Sequence, residues 1–371
     1  MEGILISSGF SELFKHLNTL FTPFFVTYAV VVSLIPRAKQ VGLIDSPDGI
    51  RKFHKRPTPV IGGVCMLAGL LVPVLLFPSL HDFAGLFLAM LLAAGVGFFD
   101  DRFGLNYVSR VSFQIAAVVL MVLLDGESLR SFGNLFGSGT ILTCGFSVPV
   151  TIFCAVGVMN AMNMIDGLDG LAGGIAMAAF AAFGVLAWLN DMPLLVMLSL
   201  YFCGTLAAFL RFNWFPSKIF MGDAGSMMLG LVLAWFALAL SQHRGSSVSP
   251  VAVLLVLALP VTDTITVMIR RLLRGKNPFH ADRTHLHYIL AATGLSQRNV
   301  VFLMIFMTLV SSSVAIAGTI LKWSDTQLFS FYMAGFALYV SGIFRLQTLL
   351  TNIIRLREMT FMRVFYRKWF S

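Results

Sequence analysis

Residues 148–190 read VPVTIFCAVGVMNAMNMIDGLDGLAGGIAMAAFAAFGVLAWLN. Two apolar runs, near 148–163 and 170–190, flank a short polar turn. A helix needs about 20 mostly apolar residues to cross a hydrocarbon core. The second run has that length; the first is shorter and polar at its end. Read as two membrane helices, the stretch puts its Asn and Asp side chains at a membrane edge.

The same pattern extends in both directions. Further apolar runs lie near 17–36, 60–80, 83–99, 108–125, 193–211, 225–241, 249–269, 299–321 and 327–347. Barrel strands would be shorter and would alternate. Composition agrees: 58% of residues are hydrophobic and 12% charged, against roughly 25% charged in soluble domains. The sequence therefore predicts an all-α, polytopic integral membrane protein with about eleven transmembrane helices.

In the first run the dense charge follows the apolar stretch: Arg37, Lys39, Arg51, Lys52, Lys55 and Arg56. A secretory leader has its charge before it. The run is expected to be an uncleaved anchor with its N-terminus outside. With eleven spans, 22 of the 26 Lys and Arg fall on one side, and Lys15, Arg130, Arg244 and Lys322 on the other. Positive charge marks the cytoplasmic side, so the C-terminus is predicted to be cytoplasmic. Residues 1–347 form one membrane-embedded domain in this reading, and 348–371 a basic cytoplasmic tail. That tail mixes Arg355, Arg357, Arg363, Arg367 and Lys368 with Phe361, Phe365, Tyr366 and Trp369, as an interfacial arm would. The net charge of +9 suits anionic membrane lipids and anionic substrates. The loops are too short for a nucleic-acid partner. Cys65, Cys144, Cys154 and Cys203 show no paired spacing.

Acids cluster on the inner face. Asp100 and Asp101 end the third run; adjacent carboxylates repel and want a cation or a basic partner, with Arg102 the nearest in sequence. Asn160, Asn163, Asp166 and Asp169 recur every three residues, a spacing that keeps side chains on one side of a helix. Asp166-Gly167 reads as a helix stop and Asp169-Gly170 as the next helix's cap. Oxygen donors of this kind suit magnesium. Asp223 lies in Phe220-Met-Gly222-Asp223-Ala-Gly225-Ser226, where glycine permits close backbone approach to a ligand. A basic loop carries Arg270, Arg271, Arg274, Lys276, His280, Asp282, Arg283, His285, His287 and Tyr288. Its Arg, Lys and His read as phosphate donors. Asp263 sits within a span, where an acid marks function or a structural hydrogen bond between helices. Carboxylates beside cations at a membrane edge suggest metal-assisted phosphoryl chemistry.

These motifs resemble the polyprenyl-phosphate N-acetylhexosamine-1-phosphate transferases (glycosyltransferase 4 family), most closely the bacterial WecA type. The matching pieces run from Val41 to Gln297: Gly42-Leu-Ile-Asp45-Ser-Pro47, Arg51-Lys52-Phe-His54, Pro59-Val-Ile-Gly62-Gly63, Asp100-Asp101-Arg102-Phe103, Asn160 to Gly170, Phe220 to Ser226, and Asp282-Arg283-Thr-His285-Leu-His287. The resemblance implies transfer of N-acetylglucosamine 1-phosphate from UDP-N-acetylglucosamine to undecaprenyl phosphate, with release of UMP. This is the first membrane step of O antigen or a related envelope glycan, at a bacterial inner membrane. It implies Asp223 and Asn163 as holders of Mg²⁺, with Mn²⁺ an alternative. Asp100 and Asp101 would position the lipid phosphate, and Asp166 and Asp169 shape the nucleotide and metal site. Lys52, His54, Asn160, Arg271, Arg283, His285 and His287 would bind substrate. Tyr288 stands where WecA-type relatives usually carry a further histidine. The three-histidine run and Asp-Asp-x-x-Lys pattern of the phospho-MurNAc-pentapeptide transferases are absent. A homodimer is compatible with this reading. The rival from another class, a secondary transporter, would place its site near the midplane between repeats; the acids lie instead at helix ends on one face.

Overall fold

The computed structural model describes residues 2–46, 57–76, 83–243, 245–275 and 284–369. Its helices are α1 (Glu2–Leu34), α2 (Ala38–Val41), α3 (Gly62–Leu76), α4 (Ala84–Phe103), α5 (Tyr107–Asp125), α6 (Ser147–Ile165), α7 (Leu171–Leu189), α8 (Pro193–Asn213), α9 (Gly222–Gln242), α10 (Pro250–Val256), α11 (Ala258–Leu273), α12 (Leu286–Ala292), α13 (Gln297–Ile320) and α14 (Asp325–Trp369). Two small hairpins complete it, β1 (Ile44–Asp45) with β2 (Thr58–Pro59), and β3 (Ser131–Gly133) with β4 (Ile141–Leu142). Each of the eleven apolar runs is helical. Among the described residues nine helices are long and apolar enough to cross a membrane. The other two runs differ from plain spans. The run near 60–80 forms the shorter α3, and the run near 249–269 is α10 and α11, bent by 81°. The chain is an all-α, polytopic membrane protein.

The axis of the bundle is α9. Of its apolar stretch 89% is buried, against 22% for α1 and α14 at the perimeter. It packs against α3, α4, α6 and α7. Glycines allow its close contacts: a Cβ on Gly97 of α4 would lie 2.3 Å from the Ala224 nitrogen, and one on Gly63 of α3 would lie 2.2 Å from the Gly225 nitrogen. Phe180, Phe183, Phe202, Trp235 and Phe236 fill the centre.

Beyond the bend, α11 is inside out. Thr262, Asp263, Thr266, Arg270 and Arg271 are buried, while Ile265, Ile269, Leu272 and Leu273 are exposed. Lipid is the solvent that makes this arrangement favourable. Asp263 has the structural role of a receptor for the loop that follows. It accepts from His285 Nδ1 at 2.7 Å, the Leu286 amide at 3.0 Å and the Tyr339 hydroxyl at 2.6 Å.

The end of the bundle away from these acid clusters is tied by polar side chains. Gln242 Oε1 accepts from the amides of Arg130 and Ser131, and its Nε2 donates to the Ser131 carbonyl. Asp325 accepts from the Asn134 amide and the Ser249 hydroxyl. Trp235 Nε1 donates to Asp125 at 3.0 Å. The helix α14 continues without a break from its span to Trp369.

Candidate active site

Four helix ends meet: the C-termini of α4 and α6 and the N-termini of α5 and α9. Backbone pairing locks a fifth segment against them. The Gly62 and Gly63 amides donate to the Phe220 and Met221 carbonyls, both at 2.9 Å, and the Phe220 amide to the Pro59 carbonyl at 2.8 Å. Two of the motif pieces are thus edge to edge.

The two adjacent aspartates face different ways. Asp100 is buried; its Oδ1 accepts from the Leu105 amide at 2.7 Å, and its Oδ2 has no hydrogen-bond partner among the described residues. Arg110 Nη1 lies 3.6 Å from that Oδ2 and 3.9 Å from Asp223 Oδ2. Asp101 instead accepts the Asp223 amide at 2.8 Å and the Ala224 amide at 3.1 Å. Arg102, the nearest basic residue in sequence, lies over the Phe103 ring, so the basic partner of the pair is Arg110.

Asn163 Nδ2 donates to Asp223 Oδ1 at 2.5 Å and to Ser226 Oγ at 3.0 Å. The four residues spaced by three diverge. Asn160 turns to α5, donating to Gln114 Oε1 at 2.9 Å. Asp169 turns to the loop before α9, accepting from the Ser217 amide at 3.0 Å. It does not cap α7; Gly170 takes that place, and its amide donates to Asn213 Oδ1. Asp166 follows α6 as expected for a helix stop. Burial, together with the charges of Asp223, Asp101 and Asp169, pushes its carboxyl up to about 8. An acid cluster this crowded wants a cation.

His287 is fully buried against Gly167, and neither ring nitrogen has a partner among the described residues. Burial, with the nearby His285, pulls its pKa down to about 4. Neutral at pH 7, its ring has one donor and one acceptor. His285 is held by Asp263. Arg271 is buried on the last turn of α11. Lys52, His54 and Arg283 lie outside the described residues.

Sequence reasoning missed Arg110, Gln114 and Ser226. For Arg110 a signal existed. Asn106 caps α5 through the Ser109 amide, and a cation one turn into a helix opposes the helix dipole. Such a cation points to acids outside its own helix.

Among the described residues no three His, Cys, Asp or Glu side chains are grouped to hold a metal ion. Asp223 and the amide oxygen of Asn163 still fit a cation that takes few protein ligands. Magnesium binds through one or two carboxylates plus substrate phosphates and keeps waters. The Asn163 oxygen reaches it by an amide flip, an assignment made from hydrogen bonds alone.

A family model for glycosyl transferase family 4 matches residues 83–241. Curated undecaprenyl-phosphate alpha-N-acetylglucosaminyl 1-phosphate transferases are similar over most of their length. The one from Escherichia coli O157:H7 is 31% identical over 82% of this chain and 82% of its own. Those of Haemophilus influenzae and Pasteurella multocida are each 31% identical, over 88% and 92% of this chain and 93% and 97% of theirs. The chain belongs to glycosyl transferase family 4. The part matched by the family 4 model holds Asp100, Asp101, Arg110, Asn163 and Asp223. It ends before His285 and His287, which Asp263 and Gly167 bring to the same end of the bundle.

Proposed function

We propose that this family 4 protein transfers N-acetylglucosamine 1-phosphate from UDP-N-acetylglucosamine to undecaprenyl phosphate, releasing UMP, at the cytoplasmic face of a bacterial inner membrane. The observation that carries the reading is Arg110 suspended between Asp100 and Asp223. Both distances exceed those of a direct hydrogen bond, and among the described residues Arg110 Nε is buried without a partner, as is Asp100 Oδ2. Unspent donors beside carboxylates, at helix ends on one side of the bundle, suit a phosphate that arrives with a metal.

An oxygen of the acceptor phosphate forms a bond to the sugar-bearing phosphorus of the donor. The bond from that phosphorus to the bridging oxygen breaks, and its electron pair leaves with UMP. A phosphate monoester has a second pKa of about 6, so the attacking oxygen is already largely ionised at pH 7. Asp100 is therefore a positioning charge rather than an obligatory base. Arg110 orients the acceptor phosphate, and its charge offsets that developing on the transferred group. Asp223 and Asn163 would hold Mg²⁺, with Mn²⁺ able to use the same donors. When bound, the cation would act as a Lewis acid towards the phosphates and balance their charge. His287, buried beside Gly167, would support the turn after α6. The orientation rests on the Lys and Arg asymmetry.

The test is transfer from sugar-labelled UDP-N-acetylglucosamine to undecaprenyl phosphate by purified protein in detergent, with Mg²⁺ and with EDTA. Lipid-linked sugar formed together with UMP only when the metal is present is the expected result. Folded protein that makes no product with this or other UDP-amino sugars overturns the reading.

A further inference from the structure

We infer that Asp101 is a positioning residue that builds the metal-binding carboxylate of Asp223, and does not itself touch substrate. The inference rests on the reading that Asp223 and Asn163 hold a divalent cation. Adjacent aspartates at a helix end look alike in sequence, yet here their partners differ: an Arg110 nitrogen lies beside Asp100. Both carboxylate oxygens of Asp101 are engaged by the Asp223 and Ala224 amides. These amides belong to the first turn of α9, where helix N–H groups have no partner within the helix. The last turn of α4 thus supplies, from another element, the cap that α9 lacks. No side chain of its own caps α9.

The neighbouring residues are shaped to this contact. Gly222 has a φ of +74°, and a Cβ there would lie 2.5 Å from Asp101 Oδ2 and 2.6 Å from Val60 Cγ1. Gly97, one turn before Asp101, lets α4 lie against Ala224. The Asp223 main chain is therefore gripped by Asp101 through a contact that does not depend on which way the Asn163 amide faces. Losing that grip would let the carboxylate turn from the geometry a cation needs. Residues that orient metal ligands typically cost 10- to 100-fold in metal affinity when changed.

The experiment is Mn²⁺ binding to the purified full chain, read by loss of the free-ion electron paramagnetic resonance signal. Thermal melting reports folding. Wild type is expected to bind an ion that Asp223→Ala does not. Asp101→Asn, which leaves one amide facing an NH₂ group, is expected to bind about tenfold more weakly and to fill at higher Mn²⁺. Gly222→Ala keeps the Asp101 carboxylate but crowds it, and is expected to weaken binding likewise; it decides the matter if Asp101→Asn does not fold. Binding by Asp101→Asn as tight as wild type overturns the inference. So does outright loss of the ion in Asp101→Asn with wild-type binding in Gly222→Ala, which would make Asp101 a ligand. Equal binding by wild type and Asp223→Ala removes the cation reading itself, and this inference with it.

Discussion

Arg110 sits one turn into α5 and faces two acids that belong to two other helices. Arg110→Gln keeps a donor of reduced length but removes the charge. It is expected to lower kcat about a hundredfold, the scale seen when one charge-stabilising donor is lost. Arg110→Lys should recover part of the rate, and steady-state kinetics in detergent measure both. Asp166 makes a prediction about stability. Its pKa is about 4 in an unfolded chain and about 8 in the folded one. Between those values the folded state binds the extra proton, so this group's contribution to metal-free stability falls as pH rises. Asp166→Asn should therefore raise the melting temperature at pH 8 in EDTA and change it little at pH 4. Much of the site was legible at this scale, because an acid near hydrocarbon is costly and so conspicuous. Spacing misled where it was read as convergence. Asn160 and Asp169 share a periodicity with Asn163, yet their partners, Gln114 and the Ser217 amide, lie on segments that sequence periodicity does not place.

Between elements, the contact that matters most is α4 against α9. It delivers Asp100, Asp101 and Asp223 to one place and depends on backbone approach at Gly97. A branched side chain there has nowhere to go, since even its Cβ would meet Ala224 backbone at 2.3 Å. Overpacking of this kind destabilises by about 1–3 kcal/mol or more. Gly97→Val is expected to lower the melting temperature and to abolish transfer, read by thermal melting beside the activity assay. The helices themselves were legible because each apolar run has the length lipid demands. The break between α10 and α11 was passed over, although Pro260 marks it: it has no amide to return to the carbonyl of Val256, where α10 ends. The direction the second half takes follows from the buried polar side of α11, ending at Arg270 and Arg271. Its partners, Tyr339 and His285, come from distant segments, so the local pattern carries no trace of them.

For the whole molecule, the proposed orientation rests on one charge asymmetry and the proposed chemistry on one polar cluster. The site is built from the ends of α4, α5, α6 and α9 on the side that carries 22 of the 26 Lys and Arg in the eleven-run reading. The β3–β4 hairpin is held at the other end. With the exposed Cys144 replaced by Ser, Ser138→Cys at its exposed tip should therefore react with a membrane-impermeant thiol reagent in intact cells, and Asn106→Cys at the start of α5 only after permeabilisation. The reverse pattern would invert the topology. The central claim is that the group transferred is a sugar phosphate, not a sugar, because an arginine set between carboxylates suits a phosphate that arrives with a metal. The most direct measurement follows phosphorus from UDP-N-acetylglucosamine labelled at the phosphorus that bears the sugar, using purified protein, undecaprenyl phosphate and Mg²⁺. The label is expected in the lipid fraction, with unlabelled UMP released in equal amount. Label left in water-soluble UDP while the sugar enters the lipid would contradict the account.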